Sequence, residues 1–178
     1  NIFLKYAVAI IFLSAIGHFV PEVMGLGTNT VLSTVSGEFV LYFALIILIG
    51  KIIATSISLG FGFFGGVFSP ALLVGASAGA VVAELFVLVG FLEKFEPALV
   101  ISGMAAVTGA VIGAPICMVV IVMELTSSYI YALSSLVGLT LSVSLSHILF
   151  GASYFDRQLG TRGIDISTGR SGMFLMEK

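Results

Sequence analysis

Gly65-Gly66-Val67-Phe68-Ser69-Pro70 leads directly into the helical run Ala71–Phe86. Proline suits the first turn of a helix, where its missing N–H costs nothing. The pattern therefore predicts a glycine-rich turn and then a helix, with the amides of Gly66, Val67 and Phe68 lacking intrahelical partners. The helix dipole adds about half a positive charge at this end. Such an arrangement favours an anion site made of backbone amides.

The composition indicates that the surroundings of this turn are mostly lipid. The chain has 178 residues, of which 59% are hydrophobic and only 9% are charged, against about 25% charged in a soluble domain. A core alone does not explain this deficit, because a chain this short leaves much of its surface exposed. The net charge of −2 argues against a nucleic-acid partner. Cys117 has no cysteine partner and no metal-ligand spacing around it, so no metal or cofactor is expected.

Apolar runs between the charges are each long enough for at least one membrane crossing of about 20 residues. Glycine and proline interrupt two of them, at Gly60–Pro70 and at Gly109, Gly113 and Pro115. Broken helices in lipid leave backbone groups that protein, water or a ligand must satisfy, and such breaks often mark transport sites. The predicted fold is an all-α polytopic membrane protein with broken and re-entrant helices.

Small residues recur at helical spacing and predict close helix packing. They are Gly75, Gly79 and Ala83 in one run and Gly103, Val107 and Ala110 in the next. Residues of this size let the backbones of membrane helices approach each other.

Lys51 lies inside an apolar run, so it is expected to extend toward the membrane surface or to pair with a carboxylate. No basic residue lies between Lys51 and Lys94. Dipoles alone are therefore expected to hold an anion at Gly66–Phe68. Partial charges also allow a bound ion to leave, as conduction requires.

Gly66-Val67-Phe68-Ser69-Pro70 resembles the GxFxP anion-binding motif of the CLC chloride channels and chloride/proton antiporters. Further landmarks of that family occur in the same order along the chain. They are the glycine-rich loop Pro21…Gly25-Leu26-Gly27-Thr28-Asn29, the helix pair Gly103-Met104-Ala105-Ala106…Ala114-Pro115…Glu124-Leu125-Thr126, and the exit Ser153-Tyr154-Phe155-Asp156-Arg157-Gln158-Leu159…Arg162-Gly163-Ile164.

The resemblance implies that the amides of Val67 and Phe68 bind a central chloride, which is the transported ion. The family also uses a tyrosine hydroxyl four residues before a leucine in the last helix. Counting back from Leu159 gives Phe155 rather than Tyr154, which predicts a weaker central site and a looser inner gate. The predicted anion-binding residues are Gly66, Val67, Phe68, Phe155 and Tyr154.

The resemblance further implies that the chain is the C-terminal one of two inverted repeats. Residues 1–163 would be membrane domain and residues 164–178 a cytoplasmic tail or linker. The N-terminal half, which carries the gating glutamates, is expected as a partner, so channel and antiporter remain open. A homodimer is expected, with its interface in the first helix and in Pro115–Leu149. Arginines after the last span place the C-terminus in the cytoplasm, and the bacterial plasma membrane is the expected location.

Other classes of protein fit less of the sequence. Gly75-Ala76-Ser77-Ala78-Gly79 matches the nucleophile pattern of hydrolases, but it lies in a predicted membrane helix, so no enzyme is expected. Half of a cation-coupled secondary transporter is the main alternative, although the Gly60–Pro70 break offers amides and no acids. If the protein were a purely structural membrane subunit, the unpaired amides would have no ligand, which argues against this alternative.

Overall fold

A computed structural model describes residues 2–37, 41–63, 65–91, 97–151 and 153–161. The regular structure within these residues is helical, which confirms the predicted all-α fold. The helices are α1 (Ile2–Phe19), α2 (Thr28–Val35), α3 (Leu41–Phe61), α4 (Phe68–Leu88), α5 (Pro97–Ile112), α6 (Pro115–Thr126), α7 (Tyr129–Phe150) and α8 (Tyr154–Thr161), with a short 3₁₀ turn at Pro21–Val23. The predicted tail, residues 164–178, lies outside the described residues.

Three of the described helices, α3, α4 and α7, are long and apolar enough to cross a membrane. Shorter apolar helices accompany them, at Lys5–Phe19 within α1 and in α5 and α6. A crossing needs about 20 apolar residues. The described helices therefore differ in length, as interruption by glycine and proline would produce.

Both predicted breaks occur, although not at every residue proposed for them. The chain leaves α3 after Phe61, turns at Gly62 with φ +86°, and enters α4 at Phe68. The second break lies at Gly113, with φ +77°, and Pro115 opens α6. The expectation that Gly109 breaks its run is wrong, because Gly109 lies inside α5. Its missing side chain instead makes room for Leu139 of α7.

One helix was not expected from the polar, glycine-rich composition of residues 24–37. α2 begins directly after Gly27, which adopts a left-handed conformation with φ +71°. A Cβ atom on Gly27 would lie 2.7 Å from Leu73 of α4. Glycine tolerates this positive φ without steric cost, so Gly27 allows the turn. Its missing side chain also lets the loop pack closely on α4.

The tightest packing joins α4 and α5 through glycines, as their spacing predicts. A Cβ atom on Gly75 would lie 2.5 Å from the carbonyl oxygen of Gly103, and one on Gly103 would lie 2.6 Å from that of Gly75. Gly79 meets the backbone of Leu99 and Val100 in the same way. The two helices run antiparallel with their backbones in contact. α5 packs in turn on α6, α7 and α8, so it lies at the centre of the described residues.

Candidate functional site

The break between α3 and α4 forms one wall of a cavity of about 300 Å³. Other walls come from α1, from the loop after it and from the inner side of α3. The polar side chains and the glycines of this lining are Gly25, Lys51, Thr55, Ser58, Gly65 and Gly66. None of the described lining residues is acidic. A cavity with donors and without carboxylates suits a negatively charged ligand.

The start of α4 leaves backbone donors without helical acceptors, and of the residues that supply them Val67 lines this cavity. Val67 is the N-cap, Phe68 is the first helical residue, and the N–H of Ala71 donates to the carbonyl oxygen of Val67 at 3.1 Å. A helix leaves the amides before that bond without intrahelical acceptors. Because Pro70 has no N–H, these donors belong to Val67, Phe68 and Ser69. Gly66 lines the cavity but precedes the cap, and Ser69 is an addition to the sequence-based set.

Lys51 is the side chain of this cavity whose position was predicted wrongly from the sequence. It is only 4% exposed, and its Nζ donates to the carbonyl oxygens of Val23 at 2.7 Å and Gly25 at 3.0 Å. The expected extension to the membrane surface is therefore wrong, and within the described part of the chain Lys51 pairs with carbonyl groups rather than with a carboxylate. Lys51 lines the same cavity as Gly66, so the cavity contains a basic side chain that was not expected there from the sequence, and the expectation that dipoles alone hold an anion stays a prediction.

The loop after α1 is fixed by donors from three different helices. Thr30 of α2 donates from Oγ1 to the Glu22 carbonyl oxygen at 3.2 Å. Lys51 of α3 holds the carbonyls of Val23 and Gly25, and the hydroxyl of Ser69 of α4 donates to the carbonyl of Leu26. Of these residues, Val23 and Gly25 line the cavity, and the bonds from Lys51 lower the capacity of their carbonyl oxygens to hold a cation there.

The five predicted site residues are brought together only in part. Gly66 and Val67 line the cavity, whereas Phe68 opens α4 with a side chain that is 38% exposed. Tyr154 lines a different cavity of about 410 Å³ between α5, α7 and α8. Phe155 lies edge-on to Tyr154, with ring centroids 5.8 Å apart. α8 packs on α5, and neither Tyr154 nor Phe155 is among the described lining residues of the cavity at the α4 turn. Their anion-binding roles stay predictions.

The hydrolase-like pattern falls in the middle of a helix. Ser77 lies within α4 and is 1% exposed. A nucleophile elbow places its serine on a sharp strand-to-helix turn, and Ser77 has no such setting. In the part of the chain that the structure describes, no His, Cys, Asp and Glu group is placed to hold a metal ion.

Comparison with known proteins identifies the family of the chain. The family model described as voltage gated chloride channel matches residues 1–147, which is well over half of the chain. The chain belongs to the voltage-gated chloride channel family. Together with the long apolar helices α3, α4 and α7, membership of this family makes it an integral membrane protein. Tyr154 and Phe155 lie beyond the matched residues.

Some of the curated proteins to which the chain is similar are named as exchange transporters. The chain is 28% identical over 142 residues to the H(+)/Cl(-) exchange transporter ClcA of Vibrio parahaemolyticus, covering 79% of the chain and 30% of that protein. It is 29% identical to ClcA of Vibrio cholerae, with the same coverage. An uncharacterised protein of Methanocaldococcus jannaschii is 38% identical over 82 residues, 46% of the chain and 21% of that protein. The chain thus spans less than a third of each relative.

Proposed function

We propose that the full-length protein moves chloride or a similar small anion across the membrane, as a channel or as a proton/chloride antiporter. The backbone amides at the start of α4 replace part of the hydration shell of the anion. The family and the exchange transporters among the relatives support this proposal. The role is transport, with chloride as substrate and without enzymatic chemistry or a cofactor.

One observation carries the proposal for the site. The cavity of about 300 Å³ combines the turn at the start of α4 with a buried ammonium group, and its described lining contains no acid. Helix N-terminal amides bind anions because their N–H groups and the helix dipole point at the ligand. In a low-dielectric setting the same partial charges act more strongly than in water.

A cation-coupled carrier is the weaker second candidate. Such a site needs carbonyl or carboxylate oxygens at the helix break. In the loop that faces the break, the cavity-lining residues Val23 and Gly25 already have their carbonyl oxygens bonded to the Lys51 ammonium. This arrangement favours an anion.

The remaining parts of the transport pathway are proposed from the family resemblance. The N-terminal half of the fold would complete the pore and supply the gating glutamates. The full-length protein would form a homodimer in the bacterial plasma membrane, with its C-terminus in the cytoplasm. Phe155, and Tyr154 if the register of α8 differs, would shape the inner end of the pore.

Chloride efflux from liposomes that contain the full-length protein tests the function. Efflux that drives proton movement would mark an antiporter, and efflux without it a channel. An absence of chloride flux from a folded preparation would contradict the proposal.

Val67→Pro tests the amide donors at the start of α4. Val67 has φ −82°, close to the angle that proline requires, so this change removes the N–H with little change of backbone shape. Losing a hydrogen bond to an ion costs about 1.5–3 kcal/mol, and chloride binding measured by calorimetry should weaken roughly tenfold or more. Val67→Ala keeps the amide and is the matched control. Equal binding by the two variants would exclude this amide as a ligand.

A further inference from the structure

Lys51 places a full charge beside the partial charges of the α4 turn. Its side chain extends from α3 into the protein, it is 4% exposed, and it shares the lining of one cavity with Gly65, Gly66 and Val67. A lysine within a membrane-crossing helix is expensive unless it faces a cavity or a partner. Lys51 therefore has a setting that accounts for its position in an apolar helix.

Among the described residues, the hydrogen-bond partners of this ammonium group do not balance its charge. Both of its described hydrogen-bond acceptors, the carbonyls of Val23 and Gly25, are neutral. The described lining of the cavity contains no carboxylate. A buried charge is unfavourable unless a counter-charge compensates it. The described lining therefore supplies no negative charge to this ammonium group, and a mobile anion can supply one.

We propose that Lys51 recruits the anion to this cavity and sets its selectivity for negative charge. The ligand class is a small monovalent inorganic anion. An ammonium group has three donors, and two of them serve Val23 and Gly25. Sharing the ammonium with two carbonyls weakens its hold on an anion, so the ion binds and still leaves. The proposal deepens the proposed function and rests on it.

A control variant is needed to distinguish the effect of the Lys51 charge from the effect of its hydrogen bonds to the loop after α1. Lys51 also fixes the loop through its two carbonyl bonds, so its loss removes both a charge and a clamp. Thr30 fixes the same loop through the Glu22 carbonyl and brings no charge. Thr30→Val removes that second clamp at nearly constant volume. It is the matched control for the structural part of the Lys51 effect.

The test is calorimetric titration of the detergent-solubilised full-length protein with sodium chloride. We expect Lys51→Gln to weaken chloride binding at least about tenfold, since it removes a unit charge at short range in a region of low dielectric. Lys51→Arg keeps the charge and should bind within about threefold of the wild type, which is a small free-energy difference. Thr30→Val should bind as the wild type does.

Wild-type binding also separates this proposal from the one on which it rests. If the folded wild type binds no chloride, the proposed function itself fails. If the wild type and Lys51→Gln bind equally, only the role of Lys51 is overturned. If Thr30→Val and Lys51→Gln weaken binding equally, Lys51 is merely a clamp and the proposal is overturned as well.

A second pair of variants covers the case in which Lys51→Gln does not fold. Thr55 lines the cavity one helical turn after Lys51, and residues four apart on a helix are neighbours. Thr55→Glu places a carboxylate beside the ammonium and leaves the Lys51 side chain intact. It should weaken chloride binding at least about tenfold relative to Thr55→Gln. Equal binding by these two variants would overturn the role of the Lys51 charge.

Discussion

Phe155 occupies the position where the resemblance to the CLC family leads one to expect a tyrosine hydroxyl. If α8 has that register, Phe155→Tyr adds a donor to the central anion. A hydrogen bond to a charged group contributes about 1.5–3 kcal/mol, so chloride should bind roughly tenfold more tightly or better. Calorimetric titration of the full-length protein measures this change.

An aromatic residue far from the α4 turn provides the control for that substitution. Phe91 follows the C-terminal end of α4, which is the opposite end of that helix from Val67, and its side chain is 78% exposed, so Phe91→Tyr should leave chloride binding unchanged. Unaltered binding by Phe155→Tyr together with weaker binding by Tyr154→Phe would assign the ligand to Tyr154 and shift the register by one residue.

Single residues also show where sequence reasoning reaches its limit. The turn at Gly66 and Val67 was predictable, because glycine favours a turn and proline favours the first turn of a helix, and both signals are local. The inward position of Lys51 was not, because it depends on the loop after α1 folding over α3. That loop settles close to α3 because Gly50 lacks a side chain; a Cβ atom there would lie 3.0 Å from Val23. The sequence near Lys51 contains no pattern that predicts this contact.

At the scale of helices, the contact between α4 and α5 depends on glycine. Gly79→Ala would press a methyl group into the backbone of Leu99 and Val100. Overpacking of a tight interface costs about 1–3 kcal/mol. The variant should therefore unfold at a lower temperature than the wild type in detergent, as measured by circular dichroism.

Gly60→Ala is the matched control, because Gly60 lies within α3 and a Cβ atom there would meet nothing within 4 Å. Alanine is the better helix former by about 1 kcal/mol, so this variant should be as stable as the wild type or more so. Equal losses in the two variants would mean that α4 and α5 are not in backbone contact.

The helices themselves were predictable to different degrees. Apolar runs between charges located the long spans, and both breaks were located from glycine and proline. α2 escaped prediction because Thr28, Asn29 and Thr30 have weak helix propensity, and its packing on α4 outweighs that preference. Gly109 was misread as a break for a related reason, since its role is to accommodate Leu139.

At the scale of the whole molecule, much of α7 presents large apolar side chains outward. Leu141 is 69% exposed and lies in the region that the family resemblance assigns to a dimer interface. Leu141→Gln should weaken dimerisation, because it replaces an apolar contact with an amide that lacks a partner. The mass of the detergent-solubilised full-length protein, measured by light scattering, should fall toward that of a monomer.

Leu88→Gln provides the matched control at the end of α4, where Leu88 is also 69% exposed and lies outside the proposed interface. It makes the same chemical change and should leave the dimer intact. If Leu141→Gln remains as dimeric as Leu88→Gln, the α7 surface faces lipid or another part of the protein.

The small side chains of α4 have a further consequence for how the molecule becomes ordered. Gly75, Ala76, Gly79, Ala80 and Ala83 form most of its buried face. Glycine and alanine have no rotamers to lose, so burying them costs no side-chain conformational entropy, whereas a long side chain loses up to about 2 kcal/mol. On the α4 side, the contact with α5 is thus assembled with little side-chain ordering penalty, and the larger buried side chains of this contact, such as Val100 and Met104, belong to α5.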